Sequence, residues 1–221
     1  MVRQDKIAYF TTFFEGEGWS VLYPKIDPLE SLINTVLSDL IDQNKASVVL
    51  LSKYQTWDKV AQSSIQEIKN TIQSVKFYDH KIQTLIGVLH WAKQTFGEYS
   101  LQKLSEWSSE NIINELTSID MIEINSISVM LCETLERDIF PVDTEIQRTI
   151  ARMGIVQRGL SLNETFDLIN SYIPIGRDYF LFRNLKRFAR EICFVDNPNC
   201  KDCVLREHCD FHLKKNDWSE M

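Results

Sequence analysis

The amino-acid sequence predicts an all-α protein. Apolar residues recur every three or four positions in one segment after another, which is the period of a helix face, and no segment alternates as a half-buried strand does. Segment 29–40 is the clearest case, with apolar residues at positions 29, 32, 33, 36, 37 and 40. The same period predicts further helices over 65–72, 82–91, 112–116, 127–135, 146–153 and 179–192.

Length and composition set the scale of the fold. The chain has 221 residues, of which 44% are hydrophobic and 11% aromatic, enough to bury one good core or two small ones. Polar residues interrupt every apolar run well short of the roughly 20 residues that span a bilayer. Residues 1–5 do not resemble a signal peptide. We therefore expect a soluble, intracellular protein with no membrane partner.

Charge is distributed unevenly along the chain. Residues 1–142 hold 12 basic and 19 acidic residues, whereas residues 143–221 hold 12 of each, so the net charge of −7 lies in the first part. Between 148 and 190 basic residues outnumber acidic ones, and Arg148, Lys186, Arg187 and Arg190 are our candidates for a phosphate-binding face. An ordinary solvated helix surface would carry the same pattern, and both interpretations stay open.

Four cysteines close to the C-terminal end form the pattern C-x6-C-x2-C-x5-C, at Cys193, Cys200, Cys203 and Cys209. Four thiolates in so short a loop are the usual ligands of a [4Fe-4S] cluster. Zinc is the alternative, although structural zinc sites commonly use two close pairs and only Cys200 and Cys203 are so spaced. Two disulfides are disfavoured by the reducing compartment that we expect. The pattern favours an iron–sulfur cluster.

This cysteine pattern, at the end of an all-helical chain, resembles that of the endonuclease III branch of the helix-hairpin-helix DNA glycosylases. Segment 140–148 (F-P-V-D-T-E-I-Q-R) resembles the family's V-D-T-x-x-x-R stretch, and segment 74–81 resembles its G-x-Y-x-x-K-A turn. Tyr23-Pro24 and segment 32–38 resemble an endonuclease III-related subgroup that includes 3-methyladenine glycosylases. The matches run from about residue 20 to 211.

The resemblance implies a two-lobed fold with a C-terminal iron–sulfur cluster loop. One helical lobe would span 25–140 and contain a degenerate helix-hairpin-helix at about 109–136. Residues 1–24 and 141–221 would form the second lobe, with the cluster loop at 193–209 and the substrate pocket between the lobes. The cluster would be structural, fixing a loop that presents Lys201 and Arg206.

Asp143 is the candidate catalytic residue, because the aspartate of the V-D-T stretch is the family's catalytic carboxylate. Breaking an N-glycosidic bond develops positive charge on the sugar, and a nearby carboxylate can stabilise that charge and orient a water. Asp143 also stands at the N-cap of the helix predicted from 146. A cap stabilises a helix by roughly 1 kcal/mol whether or not the residue catalyses a reaction.

The hairpin departs from the family. Counted back from Asp143 without gaps, segment 119–125 falls on the family's L-P-G-x-G-x-K, which places Met121 and Glu123 at the glycines around Ile122. In the family those glycines bring backbone N–H groups against a DNA phosphate. Side chains hinder that approach and Glu123 adds a negative charge, so either the hairpin has another shape or it does not hold DNA. Asn125 replaces the lysine nucleophile and cannot form a Schiff base, which predicts base excision without strand cleavage.

Base flipping needs a residue that fills the hole in the duplex and walls that hold the extruded base. Gln43 and Asn44 are candidates for the filling wedge, although a polar pair at a helix end also serves as a cap. The candidate pocket or DNA-contacting residues are Trp19, Tyr23, Tyr78 and His80, with ordinary core packing as the alternative. The fifth cysteine, Cys132, is expected to be a small buried hydrophobe.

Together these features predict a monomeric DNA base-excision repair glycosylase without AP lyase activity. Its partner would be damaged or modified DNA, with duplex expected ahead of single strands. The subgroup resemblance points slightly toward alkylated purines, while oxidised and deaminated bases stay open as substrates. The main alternative is a degenerate member that keeps fold and cluster and serves as a DNA- or protein-binding module. An electron-transfer protein is a third hypothesis, which the potential of the cluster would test.

Overall fold

The structure is a computed structural model that describes residues 3–16, 22, 26–38, 46–72 and 79–213. Every regular element within these ranges is helical, so the all-α prediction is confirmed. The chain divides into two compact units, one built from residues 23–137 and the other from residues 1–22 together with 138–221. No helix in the described ranges is long and apolar enough to cross a membrane.

The unit of residues 23–137 contains helices that we label α2 to α8. They are α2 (Pro28–Val36), α3 (Ala46–Tyr54), α4 (Trp57–Ala61), α5 (Ile65–Thr71), α6 (Asp79–Phe96), α7 (Ser109–Leu116) and α8 (Ile124–Thr134). A 3-10 turn at Gln102–Glu106 precedes α7. Helix α2 packs against α8, and its apolar face, which includes Leu29, Leu32 and Ile33, is fully buried.

Capping residues fix where several of these helices begin. Asp27 precedes α2 and accepts a hydrogen bond from the Leu29 backbone N–H at 2.8 Å, with Pro28 in the first helical position. Ser64 and Glu67 form a reciprocal capping box at the start of α5. Ser108 caps α7 by accepting from the Asn111 N–H. Each cap satisfies a backbone donor that the helix itself leaves unpaired.

The second unit joins the N-terminal helix α1 (Arg3–Gly16) to α9 (Thr144–Arg152), α10 (Leu162–Asn170), α11 (Asp178–Glu191) and the short α12 (Asp210–Leu213). Helices α9 and α11 pack against each other. The core of this unit contains several aromatic side chains that are almost fully buried, namely Phe10, Phe14, Phe140 and Phe188. Phe14 meets Phe188 edge to face at a centroid distance of 6.2 Å.

A buried lysine connects three segments of this second unit. Lys6 on α1 donates to the Met153 carbonyl at 2.7 Å and to Asp210 Oδ1 at 2.6 Å. Gly154 follows with φ of +75°, and a Cβ there would lie 2.4 Å from Asp210 Cγ. Glycine is therefore required at this turn both for its left-handed backbone and for the space that Asp210 occupies. The contact fixes the segment that follows the last cysteine.

Candidate active site and cysteine loop

Asp143 lies at the start of α9, where segment 139–143, which has no regular secondary structure, leads into the helix. Its backbone is extended, with φ of −118° and ψ of −177°, and the Ile146 N–H donates to Asp143 Oδ1 at 2.9 Å. The N-cap prediction is thus confirmed. Val142 is buried immediately before it, whereas the Asp143 side chain keeps 25% of its surface exposed. A carboxylate anchored through one oxygen at a helix N-terminus is well oriented.

The other oxygen of Asp143 is bound by a lysine from α11. Lys186 Nζ donates to Asp143 Oδ2 and also to Glu145 Oε2, and only 12% of the Lys186 side chain is exposed. Arg190, one turn further along α11, donates from Nε to Glu145 Oε2 at 3.0 Å. These residues, Asp143, Glu145, Lys186 and Arg190, are called the charge cluster below.

The charge cluster changes the acidity of Glu145. Burial alone would raise the pKa of Glu145, but hydrogen bonds and attraction from Lys186 and Arg190 outweigh burial and lower it. Glu145 therefore stays ionised at neutral pH. The cluster then holds two carboxylates and two cations within direct contact distance, at the partly exposed start of α9.

The four predicted phosphate-binding residues on α9 and α11 are all engaged with protein groups. Lys186 and Arg190 belong to the charge cluster, and Arg187 pairs with Glu191 one turn on at 3.0 Å. Arg148 donates to the carbonyls of Ala189 and Cys193 at 3.2 and 2.9 Å. Arg148 thus serves an internal structural contact, and a phosphate would have to compete with carboxylates for the other three side chains.

The turn between α7 and α8, where the hairpin is expected, is tight although Met121 and Glu123 stand at the positions expected to be glycines. Helices α7 and α8 are joined by residues 117–123, and Met121 adopts φ of +60°, a left-handed conformation that usually requires glycine. Its side chain is 61% exposed. Thr84 Oγ1 donates to the Asp120 carbonyl at 3.0 Å and holds the turn against α6. Met121 therefore reproduces the backbone conformation that a glycine would favour.

Glu123 and Asn125 occupy the start of α8. Glu123 is the N-cap residue but its side chain makes no capping hydrogen bond; it pairs instead with Lys81 at 3.4 Å. Asn125 lies in the first helical turn, and its buried Oδ1 finds no hydrogen-bond partner in the part of the chain that the structure describes. A buried amide oxygen without a hydrogen-bond partner destabilises the folded protein, so packing alone does not explain why an asparagine stands at position 125.

The cysteine loop is anchored to α9 by two arginines. Arg152 donates to the carbonyls of Phe194 and Val195 at 2.5 and 2.8 Å, lies 3.6 Å from Cys193 Sγ and sits over the Phe211 ring. Arg148 holds the Cys193 carbonyl from the previous turn of the same helix. The helix that Asp143 caps therefore also fixes the position of the first residues of the cysteine loop.

The four loop cysteines line a single concavity. Their neighbours in it are mainly apolar or backbone-anchoring residues, namely Arg152, Met153, Phe188, Ile192, Pro198, Asn199, Leu205 and Phe211. All four cysteines are free thiols, and burial raises the pKa of Cys203 to about 11 and also raises that of Cys209. Two disulfides therefore do not describe this loop in the structure.

The side chains as placed do not form a mononuclear metal site. Among the described residues, no group of three or more His, Cys, Asp or Glu side chains is arranged to hold a metal ion. One zinc ion would need its sulfurs about 2.3 Å from a common point. A cubane cluster needs one thiolate at each of four irons, spread around a larger body. Four free thiols line one apolar concavity here, a donor set that both kinds of site use.

Other predicted site residues are placed as follows. Gln43, Asn44, Trp19, Tyr23 and Tyr78 lie outside the described residues. His80 is half-buried in the first turn of α6, and Cys132 is buried in α8 as expected of a small hydrophobe. Lys201 is exposed, and Arg206 donates to the Lys201 carbonyl and pairs with Glu207.

The sequence analysis did not predict a carboxyl pair in the same unit, formed by Asp178 and Asp138. Asp178 begins α11 and is buried, and burial together with the neighbouring Asp138 raises its pKa to about 7. Asp138 Oδ1 accepts the Gly176 N–H at 2.8 Å. The only sequence signal was an aspartate in the first turn of a helix, which does not by itself distinguish a buried carboxyl from an exposed one.

Comparison with known proteins gives a consistent set of relatives, although no protein-family model matches the chain. Endonuclease III of Thermotoga maritima is 24% identical over 196 residues, which cover 87% of each chain. Among solved structures, a non-covalent endonuclease III–DNA complex matches 98% of this chain and 100% of its own, with a TM-score of 0.81 and 19% identity. A thermostable thymine-DNA glycosylase matches 96% and 97%, with a TM-score of 0.73 and 16% identity. At these identities the structural matches concern the fold.

Proposed function

We propose that this relative of endonuclease III, which has the helix-hairpin-helix DNA glycosylase fold, is a base-excision repair enzyme that removes a damaged or modified base from DNA. Its sequence is similar to endonuclease III over most of both chains, and its fold matches that enzyme in complex with DNA. The observation that carries the proposal is the partly exposed carboxylate of Asp143, oriented at the start of α9 within the V-D-T stretch.

In the proposed reaction, Asp143 acts on the sugar side of the bond that breaks. The base leaves with the electron pair of the N-glycosidic bond, and the sugar develops positive charge that the Asp143 carboxylate stabilises. A water then bonds to C1′ and gives up one proton, which Asp143 is oriented to accept. The base gains a proton overall, so the products are the free base and an abasic site.

We propose that strand cleavage does not accompany base removal. A lyase reaction of this family needs an amine that bonds to C1′, and the hairpin position that would supply it is Asn125. An amide nitrogen has no available lone pair for Schiff-base formation. Lyase activity would therefore come from a separate enzyme that processes the abasic site.

A [4Fe-4S] cluster held by Cys193, Cys200, Cys203 and Cys209 is part of the proposal. The donor set fits, because all four thiols are free and line one concavity with apolar walls. When bound, the cluster would supply structural stability rather than a reaction step, because it crosslinks a loop that contains little regular structure. The protein's own contribution is the pair of α9 arginines that fix the loop backbone.

Damaged or modified DNA is the proposed partner. The protein would act as a monomer in the cytoplasm, in association with DNA. The subgroup resemblance favours alkylated purines as substrates, while oxidised and deaminated bases belong in the same test. Three of the candidate phosphate ligands on α11 (Lys186, Arg187 and Arg190) would have to exchange carboxylate partners for phosphates.

The test is single-turnover base release by cluster-loaded protein beside Asp143→Asn. The panel is duplex and single-stranded oligonucleotides carrying alkylated, oxidised or deaminated bases, each read with and without alkali. We expect release from one class, strand breaks only after alkali, and a loss of rate of at least about 100-fold in the variant. Strand breaks without alkali would contradict the absence of lyase activity.

A second candidate function is a binding module that has lost catalysis. Both oxygens of Asp143 are occupied, and the basic residues of α11 are paired, which is what a site no longer used for chemistry would also show. Specific binding to damaged DNA, with no base release from any substrate by wild-type protein, would favour this function.

A further inference from the structure

The contact between Lys186 and Asp143 requires an explanation within the proposed reaction. A cation in direct contact with the carboxylate would weaken its attraction for a positively charged sugar, so the pairing is unfavourable if nothing compensates for it. Lys186 is nonetheless mostly buried and donates to Asp143 directly. Packing does not demand a lysine here, because an apolar residue would fill the same space without a desolvated charge.

We propose that Lys186 is a positioning residue that fixes the Asp143 carboxylate for base excision; this inference rests on the proposed glycosylase function. Glu145 supplies a second negative charge, so that Lys186 can hold Asp143 without neutralising the site. Asp143 Oδ1 is held by the Ile146 N–H and Oδ2 by Lys186, so the plane of the carboxylate is defined by two contacts from different helices. One contact alone would leave the carboxylate free to rotate about its Cβ–Cγ bond.

The charge balance supports the role of Glu145. Asp143, Lys186 and Glu145 together carry one net negative charge, which remains available to stabilise the sugar. Arg190 also pairs with Glu145, but about half of the Arg190 side chain is exposed, so water screens the positive charge of Arg190. Without Glu145, Lys186 would pair with Asp143 alone, and the net charge of these two residues would be zero.

Two other roles for Lys186 fit the geometry less well. As an ammonium that donates to two carboxylates, it has no lone pair with which to attack C1′. As a phosphate anchor it would be poorly placed, since its side chain is 12% exposed and a phosphate would be repelled by the two carboxylates it contacts. A fixed contact within the protein explains both the burial and the pairing.

The test uses Lys186→Met, Glu145→Gln and the double variant in single-turnover base release at saturating protein, together with the dissociation constant for DNA. We expect Lys186→Met to slow release by about 10- to 100-fold with DNA affinity changed less than about threefold. Lys186→Arg should recover most of the rate. Glu145→Gln should slow release by about tenfold, and in the Lys186→Met background it should have no further effect, because the charge that it balances is gone.

Lys69→Met is the matched control. Lys69 is buried to a similar degree, with 14% of its side chain exposed, and pairs with Asp79 at 2.7 Å in the other unit. It should lose comparable stability, measured by thermal unfolding, and leave base release unchanged. If Lys69→Met slows release as much as Lys186→Met, the effect is general destabilisation and the inference is wrong.

Three further outcomes would overturn the inference. If Lys186→Met and Glu145→Gln have additive effects on the rate of base release, Glu145 does not act by balancing the charge of Lys186. Weakened DNA binding with a salt slope lower by about one, and an unchanged saturated rate, would make Lys186 a phosphate contact. A borohydride-trapped adduct lost in Lys186→Met would make it a nucleophile. Absence of release by wild-type protein from every substrate would instead overturn the proposed function, and the inference with it.

Discussion

The hairpin and the start of α9 differ in how closely they follow the glycosylase motifs that they resemble. At the hairpin, Met121 and Glu123 stand where the resemblance expects glycines, yet Met121 holds φ of +60° and the turn between α7 and α8 is tight. At the start of α9, the V-D-T residues are present, yet Lys186 from α11 contacts Asp143 and also pairs with Glu145, a position that the V-D-T-x-x-x-R pattern leaves unspecified. A tight turn can thus form without the glycines that favour it, and the same V-D-T residues can lie among charges that the motif does not specify.

The largest effect should come from removing a ligand of the cysteine loop. Cys203→Ser should lose bound iron and acid-labile sulfide together with the visible absorption, because a cubane needs a thiolate at each iron. Loss of the cluster should also open the C-terminal segment to limited proteolysis, since cluster binding and folding are coupled. Cys132→Ser, at a buried cysteine of α8 in the hairpin unit, should keep iron and sulfide at the wild-type level.

Metal analysis of wild-type protein can also contradict this prediction. One zinc ion for each chain, with no sulfide, would replace the cluster by a mononuclear site. The cysteine loop would then hold a structural zinc ion, and the proposed cluster would be wrong although the similarity to endonuclease III extends over most of the chain.

Asp178 gives the second largest effect, on the pH dependence of stability. Its pKa is about 7 in the folded protein against 3.8 for an ordinary aspartate, so the folded state binds more protons between about pH 4 and 7. The contribution of Asp178 to the free energy of unfolding is therefore complete below about pH 4 and declines as pH rises to about 7, by about 2 to 4 kcal/mol. Asp178→Asn should flatten that decline.

Denaturant unfolding at several pH values between 4 and 8 measures this effect. Asp167→Asn changes the same charge on the exposed face of α10 and should follow the wild-type curve. If Asp178→Asn and wild type have parallel curves, Asp178 does not keep its proton on folding, and the α11 start does not differ from an ordinary helix N-terminus.

The smallest effect concerns the hairpin itself. Met121→Gly should raise the free energy of unfolding by about 0.5 to 1 kcal/mol, because a left-handed backbone is costly for a residue with a Cβ. It should also tighten DNA binding if the turn approaches a phosphate through its backbone N–H groups. Gln55→Gly is the control, since Gln55 has φ of +67° in the same unit but lies between α3 and α4. It should gain similar stability without a change in DNA affinity.

Weaker DNA binding by Met121→Gly would reverse the interpretation of the hairpin. The exposed methionine would then contact DNA directly, as apolar wedges do in other proteins. The two regions would no longer differ in the way described above, because both would have gained new functional side chains.

Apolar periodicity and capping residues in the sequence predicted those helices whose formation depends on them. Segment 29–40 has a strict apolar period and Asp27-Pro28 before it, and α2 begins at Pro28 and extends to Val36. Helix α1 was missed although Ile7, Phe10 and Phe14 are buried at helical spacing, because polar and aromatic residues on its other positions obscure the period. Helices α3, α4, α10 and α12 were missed as well. Helix α10 begins at a capping box formed by Ser161 and Glu164, a start signal that apolar periodicity does not use.

The chemistry of the site was less predictable because it depends on contacts between distant segments. Asp143 was found through its motif, and its capping role followed from the residues that come after it. Its contact with Lys186 joins positions 43 residues apart and needs the packing of α9 on α11. The left-handed conformation of Met121 was equally hidden, since the sequence only shows that a glycine is missing.

The contact of Lys6 with Met153 and Asp210 has a consequence for the order in which the chain can fold during synthesis. The segments that form the unit of residues 1–22 and 138–221 leave the ribosome far apart in time, with the whole of the other unit between them. The partners of α1 include Phe188 and Asp210, so the apolar face formed by Phe10 and Phe14 stays uncovered until almost the entire chain has been made. During that interval a nascent chain would present this helix to chaperones, while the middle unit has all of its own core residues and can fold first.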